Sequence, residues 1–260
     1  MPGNYLGVDI GSLYTKFVVL GHDGSVLFRK AIKTLNRNKE EHLDTIQHVY
    51  SQLAIERTCA TGYGRKYFAR ADLVKTEINC ASVGLSELFP VKKTIIDIGG
   101  EDIKVIASDQ DGRVLDFYLN AKCASGTGAF ITEIAERAEI DLEKMSELAS
   151  RSGFGKELNS YCTVFAKTEI MKWIFEEVPV EDLAKSIYIS VVTRISTIKM
   201  DKSLPIFLIG GVAAHHPFLE KVMAEKFKVD VTVPEHPQMI TAFGAAVIAK
   251  NFAAKTGETA

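Results

Sequence analysis

Two stretches, Tyr5-Leu6-Gly7-Val8-Asp9-Ile10-Gly11-Ser12 and Thr94-Ile95-Ile96-Asp97-Ile98-Gly99-Gly100, read alike: an apolar strand that ends in an acid and passes into a glycine turn. Such a turn lets backbone N–H groups approach a phosphate, and a carboxylate at the strand end can hold a hydrated Mg2+. Two of these turns facing each other would clamp a triphosphate. A third glycine turn, Gly210-Gly211-Val212-Ala213, follows the apolar run Ile206–Ile209, where the missing side chains would let a base or ribose lie against the backbone.

Working outward from the first stretch, Lys16 to Leu20 reads as a second strand and Val26 to Ile32 as a third, joined by a turn at His22-Asp23-Gly24. A polar break at 36–39 precedes Leu43, Ile46, Val49, Tyr50 and Leu53 at helical spacing, and a short strand follows at 58–60. The same order begins again at the second stretch, with strands at 103–107 and 114–119 split by Asp111-Gly112 and then a helix over 127–138. This reads as a structural duplication whose halves share little sequence identity. Helical periodicity continues over 142–149, 165–177 and 180–199. A strand at 206–209, a helix at 217–227, a strand at 229–233 and a closing helix at 239–252 complete the chain. No linker or low-complexity segment intervenes. The expected division is an N-terminal lobe at 1–90, a second lobe at 91–237 carrying two cysteines, and a segment at 238–260 that packs back on the first lobe.

The 260 residues are 47% hydrophobic and 25% charged with a formal net charge of −2, so no bulk positive field exists to hold nucleic acid or anionic lipid, and neither partner is expected. The start of the chain lacks a basic segment followed by a long apolar run, and no stretch approaches the roughly 20 apolar residues that span a bilayer. A soluble cytoplasmic protein is the expectation. Cys59, Cys80, Cys123 and Cys162 show no CxxC spacing, which makes reduced thiols the default. His215-His216 suggests metal, but neighbouring side chains at a helix start diverge, so a solvated pair is expected.

Taken in order, the three glycine turns resemble the phosphate-1, phosphate-2 and adenosine motifs of the sugar kinase, Hsp70 and actin superfamily. The loop GxxxxGK[ST] is absent, and no GxGxxG follows a strand near the start. The resemblance implies an α/β fold of the actin/hexokinase/Hsp70-like type, a duplicated ribonuclease H-like unit in two lobes with ATP or ADP in the cleft. It implies that Asp9 and Asp97 organise Mg2+, that Gly11, Ser12, Gly99 and Gly100 donate to phosphates, and that Gly210, Gly211 and Val212 line the adenosine. Glu101 is the candidate to orient or deprotonate the attacking water, although a solvated residue at a strand start is an equal reading. Lys16, on the second strand near the first loop, could reach a phosphate or be an exposed strand lysine; Asp102 and Lys104 share that ambiguity.

Cys123 lies in Asn120-Ala121-Lys122-Cys123-Ala124-Ser125-Gly126-Thr127-Gly128-Ala129-Phe130, and Cys162 in Ser160-Tyr161-Cys162-Thr163-Val164-Phe165-Ala166. Both precede expected helices, whose N-terminal dipole lowers a thiol pKa and favours negative charge. A cysteine alone is more often a small hydrophobe than a ligand. The wording around these two, together with ATGYGR at 60–65 and DIGGEDIK at 97–104, closely resembles the activator ATPases of 2-hydroxyacyl-CoA dehydratases. That family includes the ATPase subunits of benzoyl-CoA reductases and the reductases of double-cubane cluster proteins. The resemblance runs from Tyr5 to about Ala249.

It implies that Cys123 and Cys162 of two subunits hold one [4Fe–4S] cluster in a homodimer. The stoichiometry is consistent, since a cubane takes four thiolates and a two-fold axis doubles two. An intrachain site using all four cysteines would need Cys59 and Cys80 to converge on the others, and Cys59 falls in an expected core strand. The implied activity is ATP hydrolysis coupled to low-potential electron transfer to a partner iron–sulfur enzyme, with ferredoxin or flavodoxin as donor. Gly126 and Gly128 fall in the same candidate cofactor-binding set and would act as hinges between the phosphate-2 region and Cys123. Three positions depart from the family pattern: Glu101 replaces a glutamine, Lys167 a glutamate and Ala81 a histidine. A small-molecule kinase of the same fold and a non-catalytic nucleotide sensor are the alternatives.

Overall fold

The structure, a computed structural model, describes residues 3–35, 40–120, 123–159 and 162–257. The polar break at 36–39 and the motif residues Ala121, Lys122, Ser160 and Tyr161 lie outside the described residues. Contacts divide the chain into two compact units, one of Met1–Lys92, Ser108–Leu115 and Met239–Ala260, the other of Lys93–Ala107 and Asp116–Gln238.

In the first unit, β1 (Asn4–Ile10), β2 (Tyr14–Leu20) and β3 (Val26–Lys33) form an antiparallel meander, α1 (Glu40–Gln52) crosses over, and β4 (Ile55–Thr61) returns parallel to β1, followed by the short β5 (Leu73–Val74). The sheet order is β3-β2-β1-β4-β5. Alternation along the strands sets two faces. Leu6, Val8, Phe17 and Val19 pack with Val49 of α1. Tyr5 and Cys59, and Val18 and Leu20, turn the other way, toward alanines of α9 (Ile240–Gly257). Strands buried on both faces need apolar residues throughout, which is why β1 reads as a continuous run.

The chain between β5 and the second sheet forms α2 (Glu77–Leu88), a helix that hydrophobic spacing does not reveal. Its small residues serve close packing. A Cβ on Gly244 would lie 1.8 Å from the Cys80 carbonyl oxygen, and one on Gly84 would lie 2.5 Å from that of Ile240, so α2 and α9 meet backbone to backbone. The start of α2 is capped by Thr76, whose hydroxyl accepts from the Asn79 N–H at 3.3 Å.

The second sheet repeats the first. Its strands β6 (Lys93–Ile98), β7 (Ile103–Ser108), β8 (Val114–Asn120), β9 (Ile206–Ile209) and β10 (Val231–Thr232) lie in the order β10-β9-β6-β7-β8, with β9 parallel to β6. Here the crossover between β8 and β9 has grown to four helices: α3 (Gly128–Arg137), α4 (Met145–Arg151), α5 (Thr163–Phe175) and α6 (Val180–Ser196). Phe130, Ile131 and Ile134 of α3 and Tyr188, Val191 and Val192 of α6 share one core with Ile96, Ile98 and Val105 of the sheet, while α5 packs on α3 and α4 on α6. After β9 come α7 (Gly211–His215) and α8 (Phe218–Phe227).

The expectation of a solvated histidine pair needs correction. His215 is exposed, but His216 is buried, and its Nδ1 shares a 2.8 Å hydrogen bond with the Tyr188 hydroxyl, which also meets Ser146 Oγ at 3.1 Å. The chain leaving α7 turns inward at this point, so adjacent residues part to opposite environments. Burial, with a smaller contribution from His215, lowers the His216 pKa to about 4.

Candidate nucleotide and cysteine sites

Asp9 is the penultimate residue of β1, and the hairpin behind it is closed by the Gly11 N–H donating to the Tyr14 carbonyl at 3.1 Å. Thr34, just past β3, straps the same loop by donating its hydroxyl to the Gly11 carbonyl at 2.8 Å. Strand register sets Lys16 opposite Asp9, and its Nζ lies 2.9 Å from Asp9 Oδ2. Lys16 is therefore tied to the carboxylate within the described structure, neutralising one oxygen of a buried acid. The other oxygen, Oδ1, is buried and has no hydrogen-bond partner among the described residues.

The second half rebuilds this arrangement. Asp97 is the penultimate residue of β6, the Gly99 N–H donates to the Asp102 carbonyl at 2.9 Å, and Lys104 follows the aspartate at the same spacing as Lys16 does. Its buried Nζ lies 2.7 Å from Asp102 Oδ2 and 3.7 Å from Asp97 Oδ2. A glycine then closes over each aspartate from the neighbouring parallel strand. Gly62, after β4, has φ +90°, and Gly210, after β9, has φ +99°. A Cβ on Gly62 would lie 2.6 Å from Asp9 Oδ1, and one on Gly210 2.5 Å from Asp97 Oδ1. Both need a left-handed backbone and an absent side chain, so only glycine suits. Lys104, which the sequence left between a phosphate contact and an exposed strand residue, is buried against the two aspartates, and the place of Gly62 over Asp9 follows from matching the two halves on their aspartates.

The phosphate-2 turn is bonded to the start of α3. The Gly128 N–H donates to the Gly99 carbonyl at 3.0 Å and the Ala129 N–H to the Gly100 carbonyl at 2.7 Å. A Cβ on Gly128 would stand 3.2 Å from Gly100 Cα and 3.1 Å from Val212 Cγ2, so this glycine touches both the phosphate-2 and adenosine segments. Gly211 opens α7, with Val212 buried in its first turn. Glu101 is exposed on the same loop. Ser12 is partly exposed beside Gly11.

Cys123 is exposed and sits one turn ahead of α3. Its carbonyl accepts from Asn120 Nδ2 at 3.1 Å, and the turn after it is closed by the Thr127 N–H donating to Ala124 at 2.9 Å, with Gly126 at φ +81°. Cys162 is also exposed and forms the N-cap position of α5, its carbonyl accepting from the Ala166 N–H at 2.9 Å. Helices α3 and α5 pack together, joined by an ion pair between Lys167 and Glu133 at 2.5 Å. The lysine that departs from the family wording thus has a local acidic partner. Exposed Val164 and Phe165 follow Cys162, and exposed Phe117 and Leu119 lie on the strand leading to Cys123.

Tested against the groups the resemblance implies, the Asp9 side fits a hydrated magnesium ion, because a buried carboxylate oxygen is left for a ligand. Cys123 and Cys162 are exposed thiols, chemically suited as soft ligands. Among the described residues no group of three or more His, Cys, Asp or Glu side chains converges to hold an ion. A four-thiolate cluster would need a second source.

The duplicated sheets with an aspartate and glycine turn at each inner strand end define an ATPase of the actin, hexokinase and Hsp70-like fold. The fold alone is shared with a ROK family glucokinase from Streptomyces griseus (TM-score 0.57, 12% identity, covering 96% of this chain and all of that one). It is shared likewise with MreB 5 of Spiroplasma citri (TM-score 0.56, 12% identity, 99% of both chains). Within that fold, the chain belongs to the BadF/BadG/BcrA/BcrD ATPase family, matched over residues 6–249. It is 32% identical over 251 residues to the 2-hydroxyisocaproyl-CoA dehydratase activator of Clostridioides difficile, covering 94% of each chain. It is 34% identical over 256 residues to the activator of lactoyl-CoA dehydratase of Anaerotignum propionicum, covering 96% of this chain and 98% of that one. A solved structure of the C. difficile activator with bound ADPNP aligns with a TM-score of 0.90 at 30% identity over 99% of this chain and 98% of that one.

Proposed function

We propose that the chain is a cytoplasmic activator ATPase. Two copies hold one [4Fe–4S] cluster through Cys123 and Cys162 of each, and ATP hydrolysis drives low-potential electrons from a ferredoxin or flavodoxin to an iron–sulfur enzyme of the 2-hydroxyacyl-CoA dehydratase or double-cubane type. When bound, the cluster supplies a one-electron carrier. Asp9 and Asp97 hold the hydrated Mg2+ of the nucleotide, with Lys16 and Lys104 limiting the accumulation of negative charge. The N–H groups of Gly11, Ser12, Gly99 and Gly100 face the phosphates, Gly210, Gly211 and Val212 face the adenosine, and Glu101 orients the attacking water.

One observation carries the coupling: two hydrogen bonds, from Gly128 to Gly99 and from Ala129 to Gly100, join the phosphate-2 turn to the helix preceded by Cys123. A shift of that turn on loss of the γ-phosphate is transmitted to the start of α3, with Gly126 as hinge. Cys162 stands exposed at the N-cap position of α5, within reach of a soft metal.

Cys123→Ser, purified without oxygen, should lose iron and visible absorption while nucleotide binding stays near the wild-type level. Iron and colour that survive this change would remove Cys123 from the metal site.

A further inference from the structure

We infer that Thr61 is a magnesium-positioning residue: its hydroxyl, together with Asp9 Oδ1, holds water in the shell of the hydrated Mg2+ that accompanies the nucleotide. The inference rests on the nucleotide reading proposed above and adds to it a residue that the glycine and aspartate motifs do not include.

β4 runs parallel to β1 with Thr61 in register with Asp9, so both side chains sit at the same end of neighbouring strands. Both residues are buried, Asp9 at 4% and Thr61 at 0% relative exposure. Asp9 Oδ2 is held by Lys16, whereas among the described residues Asp9 Oδ1 has no hydrogen-bond partner and the Thr61 hydroxyl has a weak one, the Cys80 thiol. A buried carboxylate oxygen left unsatisfied is unusual in a folded protein, because it gives up its water on burial. A hydrated cation explains it, and the hydroxyl in register beside it can still accept from that cation's water. Magnesium keeps several of its waters and is usually held through one or two carboxylates, and those waters donate to oxygens of this kind.

The second half of the fold acts as an internal control. The residue in register with Asp97 is Ile209, and Gly210 follows it as Gly62 follows Thr61. An aliphatic side chain therefore satisfies this strand end structurally, and the hydroxyl in the first half is not required by packing. Nor does the thiol behind it demand the hydroxyl. Buried Cys80 hydrogen-bonds chiefly with Cys59, and this bond and burial keep it protonated, the Thr61 hydroxyl being a lesser influence. Gly62 keeps a side chain from entering the space beside Asp9 Oδ1.

The test compares Thr61→Val, which keeps the shape and removes the hydroxyl, with Thr61→Ala and Thr61→Ser. Binding of N-methylanthraniloyl-ADP to the anoxically purified protein is titrated in magnesium chloride and in EDTA. Thr61→Val and Thr61→Ala should each lose about tenfold of the affinity gained from magnesium, the size expected for a hydrogen bond to a charged centre. Their affinity in EDTA should be unchanged, and Thr61→Ser should restore the gain. The alanine variant answers the question if the valine variant fails to fold. A magnesium gain that survives loss of the hydroxyl, or equal losses with and without magnesium, would overturn the assignment. Wild-type protein that binds no nucleotide in either buffer would overturn the nucleotide site itself, and this inference with it.

Discussion

Replacing Gly62 with alanine should destabilise the fold sharply, although it adds one methyl group. At φ +90° an L-residue pays about 1–2 kcal/mol for the left-handed backbone. The new Cβ would also stand 2.4 Å from the Ile10 carbonyl oxygen and 2.6 Å from Asp9 Oδ1, well inside contact distance. Forcing backbone apart in a packed region adds about 1–3 kcal/mol, for a total of about 2–5 kcal/mol. For a chain of this size that lowers the melting temperature by on the order of 10 °C. Gly210→Ala, with φ +99° and its own Cβ 2.4 Å from the Ile98 carbonyl oxygen, should behave the same way in the second sheet. Gly153, where an added Cβ meets nothing within 4 Å, is the control, and alanine there should be neutral or raise stability by about 0.4–1 kcal/mol. Thermal unfolding followed by circular dichroism separates the cases. A Gly62→Ala protein that melts with the wild type would refute the claim that this glycine is locked over Asp9.

Acid stability should depend on His216. Its pKa falls from the ordinary 6.5 to about 4 through burial, so between these values the unfolded chain binds a proton that the folded chain does not. Stability is therefore lost as pH drops from 6.5 toward 4, by up to ~3 kcal/mol, and a His216→Gln variant should show a flatter profile in urea titrations across this range. The alkaline side works in the opposite sense: burial raises the Tyr188 pKa to about 12, so stability should decline as pH climbs from 10 toward 12. Parallel profiles for His216→Gln and wild type would contradict the first point.

The strands and most helices are legible from periodicity because their burial is periodic: β1 and β2 alternate between α1 and α9, and α3 presents Phe130, Ile131 and Ile134 along one stripe. The helix α2 escapes such reading because its job is close backbone approach. Small residues at Ser82 and Gly84 replace the large apolar stripe that marks an ordinary amphipathic helix. The paired strand ends of Asp9 and Asp97 are visible as local motifs. What completes each one comes from the crossover strand, over 50 residues further on for Gly62 and over 110 for Gly210, and no local pattern announces that pairing. His216 shows the same limit: its neighbour is solvated and it is not, a difference set by Tyr188 on a distant helix.

The proposed electron transfer requires two chains to share one iron–sulfur centre through Cys123 and Cys162. Native mass spectrometry of protein purified and sprayed without oxygen weighs this directly. The expected result is a dimer carrying a single four-iron, four-sulfide cluster, with the cluster absent from separated subunits. A stable monomer without iron after anaerobic reconstitution with ferrous iron and sulfide, or a complete cluster on a single subunit, would contradict it.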